Sequence, residues 1–394
     1  VRIGIASDFY LPWIGGPATF IANFSAYLGR TGHEVEIIAP SPDGPPTVER
    51  REHLVVQRVP TVPIPFGYGL RTAARPGTVR RALLRAAPDV LQIHHPFPIG
   101  LAAMRQARRL GIPVVAVNHT IPECSLYGLK DHAAYPLALG ALRRYLVWFL
   151  EQAHIVSTPT MTAARLLRGM GFQHEVQVIS NGIDTGRFRP APSRQEARAA
   201  LGLPDKPLVL YTGRLDAEKD MGTWLHAAQQ VLSRLDVLFV AGGQGTDRPR
   251  LEKLAVDLGI RARVLFPGYY PIEQLPLLYQ AADVYCITSA VELQSITTLE
   301  ALASGLPVVA ANARALPELV HDGVNGYLAP PGDAHRFAAA LERILTQPAL
   351  ARAMSIAGRT RAEQHALDIV AGRHLALLRE TARAGSTLTD RLPA

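Results

Sequence analysis

The chain of 394 residues contains only two cysteines, Cys124 and Cys286, too few and too far apart for a disulfide framework or a cysteine zinc cluster. Both read as buried thiols, and their scarcity fits a reducing compartment. No apolar run is long enough to cross a bilayer. The opening Val1-Arg2-Ile3-Gly4-Ile5-Ala6-Ser7-Asp8 lacks the basic, apolar, small order of a secretion signal. The expectation is a cytoplasmic protein, with any membrane attachment peripheral and on the inner face. No Gly-x-Gly-x-x-Gly follows the first apolar run, which disfavours a nicotinamide dehydrogenase. Aromatic RNA-binding signatures and Cys/His finger spacings are also missing, so no nucleic-acid partner is expected.

A net acidic character is absent too: 41 Lys and Arg face 33 Asp and Glu, for a net charge of +8. The excess sits in the first half, where residues 1–195 hold 21 basic against 12 acidic side chains, while residues 196–394 hold 20 against 21. A basic face of this kind draws anionic lipid or anionic substrate. A hydrophobic content of 48% is ample for two cores in a chain of this length.

Short β-branched runs alternating with helical patterns recur from end to end. They fall at residues 2–6, 34–39, 54–59, 90–94, 113–118, 155–157 and 176–179, and then at 208–212, 237–241, 263–267, 284–288 and 307–311. Strands separated by helices imply parallel sheets covered on both faces, and two series imply two doubly wound α/β domains. The Pro- and charge-rich stretch from Thr185 to Lys206 marks the change. The expected division is residues 1–190, residues 191–365, a C-terminal helix at 366–384 packing back on the first domain, and a frayed tail at 385–394.

Glu292 and Glu300 stand eight positions apart in Val291-Glu292-Leu293-Gln294-Ser295-Ile296-Thr297-Thr298-Leu299-Glu300. The pattern predicts a helix from about Ser295 to Ser304, stopped by Gly305 and Pro307. Glu292 then lies just before the helix N-terminus and Glu300 about a turn and a half inside it, with free N–H groups between them. A phosphorylated sugar fits that spacing; so does a solvated helix with two incidental acids. Gly213-Arg214-Leu215-Asp216-Ala217-Glu218-Lys219-Asp220 follows the first strand of the second series, where α/β sheets bind ligands. Arg214 and Lys219 suit a diphosphate, or else form surface salt bridges with Asp216, Glu218 and Asp220. Gly15-Gly16 after the first strand and Gly242-Gly243-Gln244-Gly245 after the strand at Val237 are loops that let backbone approach closely.

The Gly15-Gly16 loop, the Gly213 to Lys219 segment, the Glu292/Glu300 helix, Asn181-Gly182-Ile183-Asp184 and Asp322-Gly323-Val324-Asn325-Gly326-Tyr327-Leu328 together resemble the retaining glycosyltransferases of the GT-B architecture, group 1 or family 4. The likeness covers nearly the whole chain and keeps the family's motif order. It implies two Rossmann-like domains facing a central cleft and a nucleotide-diphosphate sugar donor, expected to be UDP-linked. Carried over by residue, Arg214 and Lys219 would bind the diphosphate, Glu300 the ribose hydroxyls and Glu292 a donor-sugar hydroxyl near the anomeric carbon. The amides of Gln294, Ser295, Ile296 and Thr297 would complete the contacts. Gly15 and Gly16 would let the first domain close over the phosphates, and His119 would meet the donor sugar. No Asp-x-Asp occurs, so Arg214 and Lys219 are expected to replace a metal, and no cofactor is expected. Glu292-Leu293-Gln294-Ser295 departs from the common Glu-Ser-Phe-Gly and is similar to the Glu-Thr-Gln-Gly of bacterial glycolipid synthases.

The acceptor is expected on the basic first domain, as a membrane lipid such as diacylglycerol or as a soluble sugar or metabolite. Arg71, Arg75, Arg80, Arg81 and Arg85, and Arg143 and Arg144 beside Tyr145, Trp148 and Phe149, would form basic amphipathic helices on an anionic membrane surface, or else solvated faces over core aromatics. Glu123, Tyr127, His94 and His95 are candidates to line the acceptor channel. A nucleotide-sugar epimerase remains the alternative from another enzyme class.

Overall fold

A computed structural model describes residues 1–13, 15–63, 71–73 and 76–389. The chain forms two compact units, one from Val1–Asn181 with the C-terminal segment that begins at Leu367, the other from Gly182–Ala366.

In the first unit, β1 (Arg2–Ala6), β2 (Glu34–Pro40), β3 (Thr47–Arg51) and β4 (Leu54–Val59) precede a small hairpin of β5 (Thr61–Pro63) and β6 (Arg71–Ala73). β7 (Val90–Ile93), β8 (Val114–Val117), β9 (Ile155–Thr158) and β10 (Val176–Val178) follow. The main sheet runs β10-β9-β8-β7-β1-β2-β4-β3, parallel throughout except for β3 against β4. Alternation divides its apolar strands between two cores. Ile3, Ile5, Val35, Ile37, Val90 and Val115 face one side, while Leu91, Ile93, Val114 and Ala116 face the other. Helix Gly16–Arg30 and the C-terminal helix Leu367–Thr389 close the first of these faces, placing Phe20, Phe24, Val370 and Leu375 over it.

The second unit holds β11 (Leu208–Thr212), β12 (Leu238–Gly242), β13 (Val264–Leu265), β14 (Val284–Ile287), β15 (Val308–Ala311) and β16 (Gly326–Ala329). They form one parallel sheet in the order β13-β12-β11-β14-β15-β16 around a single apolar core. The order reverses between β11 and β14, so the loops after these two strands flank the switch point at which doubly wound sheets take ligands.

Four particulars differ from the sequence reading. The units divide at Asn181 and Gly182 rather than after residue 190, because the intervening segment is anchored in the second unit: Ile183 N–H donates to His365 O at 2.9 Å, and Phe188 packs edge-on against Tyr279. The C-terminal helix continues to Thr389, beyond the expected start of a frayed tail at 385. β3 escaped notice because an edge strand can be charged and exposed, as Thr-Val-Glu-Arg-Arg is. The expected basic helix from Arg71 starts only at Pro76, since Arg71 lies in β6; Arg75 lies outside the described residues.

Candidate active site

β11 ends at Thr212 and gives way to Gly213, whose φ of 140° no L side chain holds comfortably. The following residues run backbone to backbone along the glycine loop after β12. Gly213 N–H donates to Gly242 O at 3.1 Å, and Leu215 N–H donates to Gln244 O at 2.8 Å. A Cβ on Gly243 would stand 1.8 Å from Gly213 O, and one on Gly245 would stand 2.2 Å from the Leu215 backbone. The two loops therefore meet at a distance only glycine permits. Their union fixes a side-chain chain of command: Thr246 donates from N–H and Oγ1 to Asp216 Oδ1 at 2.8 and 2.9 Å, and the other oxygen of Asp216 accepts from Arg214. Arg214 also donates to Glu218 Oε1 at 2.6 Å.

Lys219 stands on a short turn locked from both sides. Asp220 adopts φ 51° and caps helix Met221–Leu232, its carboxylate accepting from Thr223 Oγ1 at 2.8 Å. Thr288, just past β14, donates to Asp220 O at 2.8 Å. Lys219 Nζ is thereby held 2.7 Å from Glu292 Oε1, with both side chains largely buried. Burial alone would raise the Glu292 carboxyl, but the Lys219 charge and hydrogen bond, with Ser289 and Arg214, bring it below its ordinary value. It is a carboxylate at neutral pH.

Helix Ile296–Ala303 matches the expected element, and Ser295 is its N-cap, accepting from Thr298 N–H at 3.1 Å. Ser295 thus satisfies one first-turn donor, leaving the N–H groups of Ile296 and Thr297 as the positive end of the helix dipole. Glu300 is buried one turn deeper and accepts from Tyr279 OH at 2.6 Å. Burial pushes its carboxyl up to about 7, opposed by the Tyr279 hydrogen bond. Tyr285 OH donates to Thr297 Oγ1 at 2.7 Å beneath the same turn. The Lys219–Glu292 pair thus joins the segment of Arg214 and Lys219 to the approach to helix Ile296–Ala303, which carries Gln294 to Thr297 and, buried, Glu300.

Both cations carry carboxylate partners: Arg214 is paired with Asp216 and Glu218, as the salt-bridge alternative had it, and Lys219 with Glu292 rather than with its own loop. The salt-bridge reading and the diphosphate reading are compatible, however. Arg214 carries five N–H donors and Lys219 three, so each keeps donors beyond its carboxylate bonds while the carboxylates fix its direction.

In the first unit His119 joins a buried group on the face covered by the C-terminal helix. His119 Nε2 lies 3.0 Å from His94 Nδ1 with the rings stacked, and His94 Nε2 lies 3.2 Å from Gln92 Oε1. With Gln92 oxygen accepting, His94 Nδ1 accepts from His119 Nε2–H, which leaves His119 Nδ1 as a bare acceptor. Burial, then the nearby His374, pushes His119 down to about 3, so the ring is neutral at working pH. His374 comes from helix Leu367–Thr389 and contacts Phe20 and Phe24. Sequence reasoning missed it; its only signal was a histidine within the apolar stripe of Val370, Ala371 and Leu375. Asp8 went unnoticed as well. It accepts from Ile99 N–H at 2.8 Å and Gly100 N–H at 3.1 Å, at the start of helix Pro98–Leu110.

Gly15 is the N-cap of helix Gly16–Arg30, and a Cβ there would fall 2.4 Å from the Trp13 ring. Glu123 pairs with Arg143 at 2.5 Å, and Tyr127 accepts from Lys130 at 3.2 Å. On helix Tyr135–Leu150 the aromatics divide, Phe149 being core and Trp148 exposed. Among the described residues no group of His, Cys, Asp and Glu could hold a metal ion, and no helix is long and apolar enough to cross a membrane.

Two outcomes follow from this geometry. Gly243→Ala forces the Gly213 loop away and costs about 1–3 kcal/mol, read as a lower unfolding midpoint. Glu300 binds its proton more tightly folded than unfolded, so its contribution to stability is complete below the ordinary carboxyl pKa and is lost as pH rises through about 7. In Glu300→Gln that loss, on the order of 3 kcal/mol, disappears. Thermal unfolding of both proteins between pH 4.5 and 7.5 measures the difference; parallel curves would contradict it.

The sequence carries matching signals over both units. The family model described as Glycosyltransferase Family 4 matches residues 14–187, and that described as Glycosyl transferases group 1 matches residues 193–361. A GDP-mannose-dependent alpha-mannosyltransferase of Mycobacterium tuberculosis is 31% identical over 91% of this chain and 93% of its own. An alpha-monoglucosyldiacylglycerol synthase of Streptococcus pneumoniae is 33% identical over 88% of this chain and 79% of its own. A sucrose-phosphate synthase from Thermosynechococcus elongatus superposes with a TM-score of 0.82 over 97% of this chain and 100% of its own, at 24% identity. The chain is thus a glycosyltransferase of group 1, built on the GT-B fold.

Proposed function

We propose that the protein transfers a hexose from a UDP-linked sugar to a membrane lipid acceptor such as diacylglycerol or a glycolipid precursor, without a metal and with retention of anomeric configuration. The observation that carries the donor site is the Lys219–Glu292 pair, held beside Arg214 at the first turn of helix Ile296–Ala303. As the bond between the anomeric carbon and the phosphate oxygen breaks, its electron pair stays on the diphosphate. The remaining donors of Arg214 and Lys219 and the first-turn amides accept that charge from fixed positions, where prior orientation is worth most. Glu292 faces the cationic side of the same transition state, and Glu300 holds the ribose hydroxyls. Gln294 and Ser295 complete the donor pocket. Gly15 and Gly16 serve the phosphates, and the neutral His119 serves the sugar as a hydrogen-bonding group rather than as a titrating acid.

The lipid acceptor draws support from the 33% identity with the monoglucosyldiacylglycerol synthase and from a basic first unit. On helix Pro76–Ala86 the exposed Arg80, Arg81 and Arg85 surround an exposed Leu84, the composition of an interfacial helix. A second donor has its own support: the mannosyltransferase relative is GDP-mannose-dependent. Thermal stabilisation by UDP-glucose against GDP-mannose separates the two, since a ligand that binds the folded form raises its midpoint.

Glu292→Ala is expected to lower turnover by about 100-fold or more while leaving sedimentation with anionic vesicles unchanged. Undiminished turnover would remove Glu292 from the site. Turnover in excess EDTA is expected to equal that without it, and a loss restored by a divalent cation would overturn the metal-free reading.

A further inference from the structure

A concavity lies in the first unit, apart from the residues assigned to donor chemistry. It occupies about 520 Å³ between helix Pro98–Leu110 and helix Tyr135–Leu150, within the range of small-molecule pockets. Phe97, Leu101, Leu142 and Tyr145 give it an apolar floor, and Arg105 and Arg109 stand at its rim. Leu101, Arg105 and Arg109 recur every four residues, so they share one helix face. Both arginines are exposed, and among the described residues neither has a carboxylate partner. Two guanidiniums one turn apart over an apolar trough complement a molecule with an anionic head and a hydrocarbon tail.

The position of the groove adds a second observation. Its wall helix exposes Leu137 at 75% and Trp148 at 45%, eleven residues apart and therefore on one face, with Arg144 between them. The Trp148 ring lies 5.8 Å from Tyr145, which lines the groove. An apolar and basic stripe thus borders the groove mouth, the arrangement of a surface that rests at a bilayer interface. At the other end Phe97 stacks 6.2 Å from His95, which lies 5.9 Å from His119. The trough therefore leads from the exposed stripe toward the histidine group.

We propose that this groove binds one anionic phospholipid from the membrane, its phosphate on Arg105 and Arg109 and an acyl chain along Phe97, Leu101 and Leu142. The proposal rests on the lipid-acceptor reading for its biological sense but concerns a separate site. It places a phospholipid beside the acceptor end of the unit, where it docks the enzyme on anionic bilayers.

The test uses the full chain and monomeric lysophosphatidylglycerol, with zwitterionic lysophosphatidylcholine as its uncharged-head counterpart, and reads binding by Trp fluorescence. Wild type is expected to bind the anionic lipid about ten-fold more tightly than the zwitterionic one, and the double variant Arg105→Gln, Arg109→Gln to lose that preference. Removing the same charge elsewhere, with Arg165→Gln and Arg168→Gln on the exposed side of helix Met161–Gly169, is expected to change binding less than about two-fold. Leu142→Trp, which fills the trough, is expected to weaken both lipids. Equal losses in the two arginine pairs would mean diffuse attraction and would overturn the site, as would full binding in the Arg105, Arg109 variant. Undiminished binding in Leu142→Trp would overturn the tail's placement. Failure of the groove is distinct from failure of the acceptor reading: glycosylation of diacylglycerol with no lysolipid binding sinks the first alone, and lysolipid binding with no lipid glycosylation sinks the second alone.

Discussion

The ion pair between Lys219 and Glu292 organises the proposed donor site, because it joins two loops that belong to different strands. Lys219 is fixed by the turn after β11 and Glu292 by the approach to helix Ile296–Ala303, so neither can shift without the other. Leaving either charge buried alone would cost about 3–5 kcal/mol, more than most single contacts contribute. The pair also sets protonation. Glu292 stays ionised despite its burial, whereas Glu300, whose named partner is a tyrosine hydroxyl, does not hold its charge so firmly. Two carboxylates eight residues apart are thus given different protonation behaviour by what stands beside each.

Around that pair the site is built largely of constraints on direction. The cations carry carboxylate partners before any ligand arrives, and this lowers their net attraction for a diphosphate. It also removes the reorganisation that a flexible arginine or lysine would otherwise require. Asp216 receives two hydrogen bonds from Thr246, and Thr246 depends on the close approach of the two glycine loops. The precision of Arg214 therefore begins at Gly243 and Gly245, positions whose importance is steric rather than chemical.

Much of this was legible in the sequence. Runs of β-branched residues at 2–6, 54–59 and 208–212 coincide with β1, β4 and β11 to the residue, since buried parallel strands are nearly all apolar. The cap and stop of helix Ile296–Ala303 followed from Ser295 and Gly305. What escaped was non-local. The pairing of Lys219 with Glu292 spans 73 positions, and nothing in either segment announces its partner. Tyr279, Thr288 and His374 look like ordinary members of a helix, a strand end and an apolar stripe until tertiary packing brings them beside candidate site groups. The division at Asn181 was obscured because composition marks where apolar patterning lapses, while Ile183 and Phe188 anchor the chain before that lapse ends.

The central claim is that the diphosphate is recognised by Arg214, Lys219 and the first-turn amides. Titration calorimetry of UDP against UMP tests it most directly, because the two ligands differ only in the phosphoryl group at issue. Wild type should prefer UDP by about ten-fold or more, and Arg214→Gln should bind the two nearly equally while keeping its affinity for UMP. A preference for UDP that survives that substitution intact would place the diphosphate elsewhere and contradict the account.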